Sequence, residues 1–174
     1  VNLAIKRAMN KEASDTCLKF NLSLDATADQ VYEQIQKAVE AYRAQPENSD
    51  FDKLAKLINY IPGLFLKFTI WLLSVLDYFG LLPKTLTDLS PFHGSMFISS
   101  LGSLGIPPIY HHLYDFGNVP VFLSFGAKRK AVELNSKGEL VTRKYLDYTY
   151  VLDERICDGY YYAASLKLMR SLYK

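Results

Sequence analysis

The hydrophobic positions change period along this chain, from alternation to helical spacing and back to alternation. Val1 to Ile5 reads as a short strand, and Thr16 to Leu24 alternates as a half-buried strand does. Thr27 and Gln30 have the spacing of a capping box, and apolar positions at helical spacing follow from Ala28 to about Arg43. The first quarter of the chain therefore predicts two strands followed by an amphipathic helix.

A long apolar run, residues 54–82, interrupts this pattern. Pro62 and Pro83 bound its most apolar part, which we expect to be a helix. Lys67 and Asp77 lie inside that part, and each would cost about 2.5–3.5 kcal/mol at the centre of a bilayer. We therefore predict an apolar helical insertion that is buried or forms an oligomer interface. Contact with a membrane surface and a true membrane span are the alternatives.

The second half of the chain returns to strands and closes with a helix. The predicted elements are strands at Ser95–Leu101, Asn118–Phe125, Val132–Leu134 and Glu139–Leu152, a hairpin turn at Asn135–Gly138, and a helix from Gly159 to Tyr173. These elements predict an α+β fold in one domain, residues 1–174, with a mixed but mostly antiparallel sheet and helices on one face. Because Val1 lies directly in a strand-like run, we expect the chain to be a piece of a longer domain.

Charge and cysteine content narrow the classes of function. The 20 basic and 18 acidic residues are spread along the chain without a basic block, so nucleic-acid binding is not predicted. Cys17 and Cys157 lie far apart, which favours a reducing, cytoplasmic location over a disulfide framework. No histidine has metal-ligand spacing to other ligand residues, so no metal cofactor is expected.

A charged corner joins the last predicted strand to the last helix. Asp153, Glu154, Arg155 and Asp158 fall within six positions between two apolar segments. Charges in such a place are costly unless they are paired or used. The residues alone leave two explanations open, a cluster of ion pairs that fixes the corner and a functional site.

Two segments together resemble a known family. Residues 94–105 (GSMFISSLGSLG) resemble the FTIS-x-x-G loop of the acyltransferase component of 2-oxo acid dehydrogenase complexes. Residues 152–159 (LDERICDG) resemble the D-H-R-x-x-D-G motif of that family and the H-x-x-x-D-G motif of the related chloramphenicol acetyltransferase. Ser99 and Glu154 lie 55 positions apart, close to the family's separation. The resemblance implies the chloramphenicol acetyltransferase-like two-layer sandwich, here without the family's N-terminal part.

The resemblance also implies roles for particular residues. Ser99 takes the position of the hydroxyl that stabilises the tetrahedral oxyanion, and Glu154 takes the position of the catalytic histidine. Asp158 takes that of the structural aspartate, while Arg155 and Gly159 match the motif's arginine and glycine. In the family, a homotrimer builds its site between subunits and uses an acyl thioester of coenzyme A or of a lipoyl or carrier group, without a metal. Coenzyme A or acyl-coenzyme A is thus the implied substrate.

Glu154 is the departure that matters most for function. A glutamate carboxylate, with an ordinary pKa of about 4.3, is a poor base for a thiol at neutral pH. The resemblance thus implies acyl transfer that is weak, altered or lost. The alternatives are a non-catalytic trimeric binding or assembly protein, and a membrane-surface interaction protein that uses residues 54–82.

The three histidines offer no motif that would replace the missing base. His111 and His112 follow Ser99 by 12 and 13 positions, so they are either substitute bases or structural loop residues. His93 precedes the serine loop, and we expect it to be a turn residue that hydrogen-bonds the backbone.

Overall fold

A computed structural model describes residues 1–6, 15–44 and 60–172. Within them, five strands form one sheet in the order β2-β1-β3-β4-β5. The strands are β1 Asn2–Lys6, β2 Asp15–Lys19, β3 Phe97–Ser100, β4 Val121–Leu134 and β5 Leu140–Leu152. The α-helices are α1 Ala28–Ala44, α2 Gly63–Tyr78, α3 Lys84–Leu89 and α4 Gly159–Leu172, and a single 3-10 turn spans Gly102–Leu104.

The sheet is mixed, which confirms the predicted α+β class. β1 pairs antiparallel with β2 and parallel with β3, and β3 pairs parallel with β4. The longest ladder is the antiparallel pairing of β4 with β5, whose turn lies at Asn135–Gly138 as predicted. The central strand β3, which carries Ser99, is thus held between two parallel neighbours.

A small aromatic core lies over the centre of this sheet. Phe97 of β3 and Phe122 of β4 are opposite each other in the register, and their rings stack at 5.2 Å. Val119 completes the buried cluster, with Tyr114 and Val151 packed against it. Because Phe97 lies two residues before Ser99, this core fixes the start of the strand that carries the predicted site.

The first helix begins where the sequence predicts. The Thr27 amide donates to the Gln30 side-chain oxygen at 2.9 Å, and the Gln30 amide donates to the Thr27 hydroxyl at 3.3 Å. This reciprocal pair satisfies two helix-start amides and confirms the capping box. Tyr42, the last residue of the predicted apolar face, is buried near the other end of α1.

Strand β2 is shorter than the alternating pattern predicts. It ends at Lys19, and the Phe20 amide makes the last bond of the ladder, 2.8 Å to the Val1 carbonyl. Leu24, predicted to lie on the inner side of this strand, is fully exposed. The prediction was wrong beyond Phe20 because the ladder between β2 and β1 ends there, and alternation alone cannot supply a partner strand.

The apolar helix α2 ends four residues before Leu82, where the prediction placed its end. Gly80 has φ of +66°, and the Leu81 amide bonds the Leu76 carbonyl at 2.8 Å. This left-handed glycine cap stops the helix after Tyr78, and α3 starts only after Pro83. Residues 54–59 of the predicted insertion lie outside the described part of the chain.

The described residues do not bury α2. Leu64 is 80% exposed and Trp71 is 58% exposed, and no residue of the helix is buried. Within the described ranges, no helix is long and apolar enough to cross a membrane. Of the predicted alternatives, burial in the chain's own core is therefore not what the described residues show, and an oligomer interface or a membrane-surface contact remains.

The basic triplet 128–130 lies inside β4, whereas the sequence predicted a break between two strands. One strand runs from Val121 to Leu134, with a register irregularity between Phe125 and Lys128. Arg129 is paired with Asp147 of β5 and lies 4.9 Å from the centre of the Tyr145 ring. The Arg129 hydrogen bond lowers the pKa of Asp147, so both charged groups are accommodated on the exposed ribbon.

Candidate functional site

Ser99 lines a cavity of about 670 Å³ beside the central strand. Its strand partner is Ser124, and alternation puts Phe97 and Ser99 on the same face of the sheet. Ser99 is half-buried, and its hydroxyl makes no hydrogen bond with the residues that the structure describes. That hydroxyl is therefore free to donate to a molecule in the cavity.

His111 lines the same cavity. Its ring stacks on Phe122 at 4.4 Å with an interplanar angle of 9°, and its Nδ1 lies 2.6 Å from the His112 carbonyl oxygen. A carbonyl oxygen only accepts hydrogen bonds, so Nδ1 carries the proton and Nε2 keeps its lone pair. The sequence offered His111 as either a substitute base or a loop residue, and the fold brings it to the face that carries Ser99.

The loop that carries His111 is fastened to the sheet at several points. The Ala127 amide bonds the Ile106 carbonyl at 2.9 Å, and the Ile109 amide bonds the buried Ser124 hydroxyl at 3.3 Å. The Thr149 hydroxyl donates to the Ile109 carbonyl. Gly126 allows the close approach, since a β-carbon there would lie 2.4 Å from Pro108. The position of His111 is thus set by the sheet.

The rest of the cavity wall combines apolar and basic groups. Leu3, Ile5 and Tyr114 contribute apolar surface. Burial raises the pKa of the Tyr114 hydroxyl, and the nearby Cys17 thiol raises this pKa further. Lys6 of β1 and Arg43 of α1 also line it. A pocket of this kind suits a ligand with an apolar arm and an anionic end.

The charged corner is held by local contacts. Arg155 binds Asp153 through Nε, 2.9 Å from Oδ2, and its amide donates to Asp153 Oδ1 at 2.9 Å. These bonds lower the pKa of Asp153. The Arg155 side chain is 88% exposed, so this pair shapes the turn more than it stabilises the fold.

Asp158 and Gly159 form the start of the last helix. The Asp158 carboxylate accepts the Tyr161 amide at 2.8 Å, which is the bond of a helix N-cap, and α4 begins at Gly159. Glu154 is exposed and makes no hydrogen bond or ion pair with the described residues. The sequence left a cluster of ion pairs and a functional site as explanations for the corner. Local bonds account for three of its residues, through the ion pair of Asp153 with Arg155 and the helix cap of Asp158. They do not account for Glu154.

Ser99 and Glu154 are far apart within one chain. The sheet register aligns Ser99 with Ser124 and Ser124 with Thr149. Glu154 lies in the turn beyond Leu152, where β5 ends, and Leu152 is itself three residues, on the order of 10 Å, along the strand from Thr149. The fold of a single chain therefore does not join the two residues that the family resemblance pairs.

His93 lies in a turn as predicted, and its amide bonds the Ser90 carbonyl at 3.5 Å, but its buried ring bonds side chains. Its Nδ1 lies 2.8 Å from the Ser90 hydroxyl and its Nε2 lies 3.1 Å from Asp77 Oδ1. Asp77 belongs to α2, so this contact explains why the apolar helix carries a carboxylate. The pair joins α2 to the loop before β3.

Sequence reasoning missed the grouping of His111, Lys6 and Arg43 around Ser99. Each lies on a different element, and only the parallel pairing of β1, β3 and β4 brings them to one cavity. The available signal was the period of two that puts Phe122 and Ser124 on one face of β4, the face on which the loop packs. Among the described residues, no three His, Cys, Asp or Glu side chains are grouped to hold a metal ion.

Comparison with known proteins supports the fold. No protein-family model matches the sequence, and a search of curated proteins gave no match. Among solved structures, the chain is similar to a probable dihydrolipoamide acetyltransferase from Listeria monocytogenes 4b F2365, with a TM-score of 0.52 and 13% identity. The match covers 98% of this chain and 54% of that one, so this chain spans about half of its length. The chain has the fold of an acyltransferase catalytic domain.

Proposed function

We propose that this domain binds an acyl thioester, with coenzyme A as the thiol carrier, in the cavity beside Ser99. The observation that carries this proposal is the unengaged Ser99 hydroxyl on a half-buried strand, facing a cavity with apolar walls. The apolar walls suit an acyl chain and a pantetheine arm, and Lys6 and Arg43 suit the phosphates of coenzyme A. A lipoyl or carrier-bound thioester is the alternative donor.

Ser99 has the chemistry to stabilise the tetrahedral intermediate of acyl transfer. When a thiol attacks a thioester carbonyl, negative charge develops on the carbonyl oxygen. A hydroxyl that already points into the site lowers the energy of that charge without reorganising. The similarity in fold to an acetyltransferase domain supports this role, and the Glu154 position makes us expect acyl transfer that differs from the family's standard mechanism.

Transfer from acetyl-coenzyme A to a small alkyl thiol tests this function. We expect measurable transfer by the wild type, with saturable binding of coenzyme A by calorimetry. We expect Glu154→Gln to leave turnover unchanged, because Glu154 is exposed and remote from Ser99 in its own chain. If Glu154→Gln loses turnover while it still binds coenzyme A, Glu154 would be the base. Wild-type protein that binds coenzyme A without transferring acyl groups would favour the non-catalytic alternative. Wild-type protein that shows no binding and no transfer would refute the proposal.

We further propose that copies of this chain assemble, as a trimer, over the exposed apolar surface of α2. Leu64 is 80% exposed and Phe68 and Trp71 are each 58% exposed, and contiguous exposed apolar side chains of this kind mark interaction surfaces. A membrane surface is the alternative occupant.

Sedimentation without detergent tests the assembly. We expect a trimer for the wild type, and a shift to monomer for Leu64→Lys combined with Trp71→Lys, because two charges would oppose burial of the helix. Leu24→Lys, at a fully exposed leucine outside α2, is the matched control and should sediment as the wild type does. A wild-type monomer that pellets with lipid vesicles would instead support membrane contact. If the corner of a second copy reaches the cavity, Glu154→His should raise turnover.

A further inference from the structure

The Ser99 cavity holds one imidazole that is oriented for proton transfer. His111 lines the cavity, and its Nδ1–H donates to the His112 carbonyl at 2.6 Å. That bond fixes the tautomer in which Nε2 is the free base. An orienting partner on one ring nitrogen and a free lone pair on the other are the two features that a general base needs.

The ring of His111 is also placed next to the reacting position. It stacks face to face on Phe122 at 4.4 Å. Ser99 and Phe122 are diagonal neighbours on adjacent strands, on the order of 7–8 Å apart. The Ser99 hydroxyl and the His111 imidazole therefore border one cavity, in which a thioester carbonyl and an attacking thiol would be held.

We propose that His111 is the general base of acyl transfer in this protein, acting within the same chain as Ser99. The acceptor thiol gives its proton to Nε2 of His111, and its sulfur forms a bond to the acyl carbon. The bond from that carbon to the sulfur of coenzyme A then breaks. The departing thiolate takes the proton back from the imidazolium, so His111 is unchanged after one turnover.

This inference rests on the proposed function, and it accounts for the glutamate at the position of the family's histidine. Glu154 is remote from Ser99 in one chain, whereas His111 shares its cavity. A base within the chain leaves position 154 free of the demand for an imidazole. The hydrogen bonds of the Ile106 and Ile109 backbone to the sheet would then hold the base on the face of β4.

His111→Asn tests the role directly, because the asparagine amide can still donate to the His112 carbonyl but cannot accept the proton. With an alkyl thiol acceptor, we expect turnover to fall by about 10²–10⁴, the usual worth of a general base. With an aromatic thiol that is already ionised at the assay pH, no base is needed and the deficit should largely disappear. Tyr110→Asn, at a neighbour of His111 that is 81% exposed and does not line the cavity, is the matched control and should transfer at the wild-type rate.

Each result has a defined meaning. His111→Asn at the wild-type rate with the alkyl thiol, an equal loss with both thiols, or an equal loss in Tyr110→Asn would overturn the role of His111 and leave the proposed function standing. Wild-type protein that binds coenzyme A without transferring acyl groups would also overturn it. Wild-type protein that neither binds coenzyme A nor transfers acyl groups would refute the proposed function itself. Circular dichroism and calorimetric binding of coenzyme A show that the variants are folded.

Discussion

Replacing Gly117 by alanine is expected to lower the free energy of unfolding by about 3 kcal/mol or more, a large share of the stability of a single domain. Gly117 has φ of +87°, and a β-carbon there would lie 2.0 Å from the Phe92 carbonyl oxygen. That oxygen accepts the Asn118 amide at 2.9 Å, so it cannot move away without losing a hydrogen bond. The cost thus combines backbone strain, a clash and a broken contact between two loops.

Gly138→Ala separates these contributions. Gly138 also has a left-handed φ, +80°, but a β-carbon there would meet no atom within 4 Å. We expect this control to cost only the backbone strain, about 1 kcal/mol. Urea unfolding of both variants measures the difference. A Gly117→Ala variant as stable as Gly138→Ala would contradict the close packing of the two loops.

The parts of the fold that depend on neighbouring residues were predictable from the sequence. The Thr27–Gln30 capping box and the Asn135–Gly138 turn are local signals, and the structure confirms both. The end of α2 was missed because a single glycine cap at Gly80 outweighs continued apolar sequence. The start of β5 was found because it follows the Asn135–Gly138 turn signal, and β3 was found as a short strand-like run before the Gly102–Gly105 loop.

Long-range pairing set what the sequence could not show. The basic residues 128–130 look like a break, yet β5 supplies Asp147 opposite Arg129 and keeps the strand intact. The same limit applies to the site. A motif assigns Ser99 to the predicted site, but the other residues of its cavity, such as His111 and Arg43, are distant in sequence and meet it only because β1, β3 and β4 are adjacent.

The charged corner shows a different limit. A single motif gives Glu154 the position of a catalytic residue and Asp158 that of a structural aspartate. In the structure, Asp158 is the N-cap of α4. Residue types at motif spacing therefore identified the turn correctly. The spacing could not show whether Glu154 takes part in chemistry, because that depends on which residues lie near it in space.

Ser99→Ala is expected to reduce the turnover of acyl transfer by about 10²–10³, the usual worth of one oxyanion donor. The hydrogen bond from the Ser99 hydroxyl to the thioester carbonyl oxygen strengthens only as negative charge develops on that oxygen in the transition state. The values of kcat and kcat/KM should therefore fall together, while binding of coenzyme A stays the same. Stability should change little, because the half-buried Ser99 hydroxyl bonds none of the described residues in the free protein.

Two neighbouring substitutions make this expectation specific. Ser99→Thr keeps a hydroxyl at the same position and should retain much of the activity that Ser99→Ala loses. Ser100→Ala removes the next hydroxyl along β3. Ser100 also borders the cavity, but alternation puts its side chain on the other face of the sheet, so we expect unchanged turnover. Equal losses in Ser99→Ala and Ser100→Ala would mean that the strand, and not the Ser99 hydroxyl, is what the reaction needs. A loss confined to Ser99→Ala, with Ser99→Thr active, would leave the hydroxyl as the group that acts on the thioester.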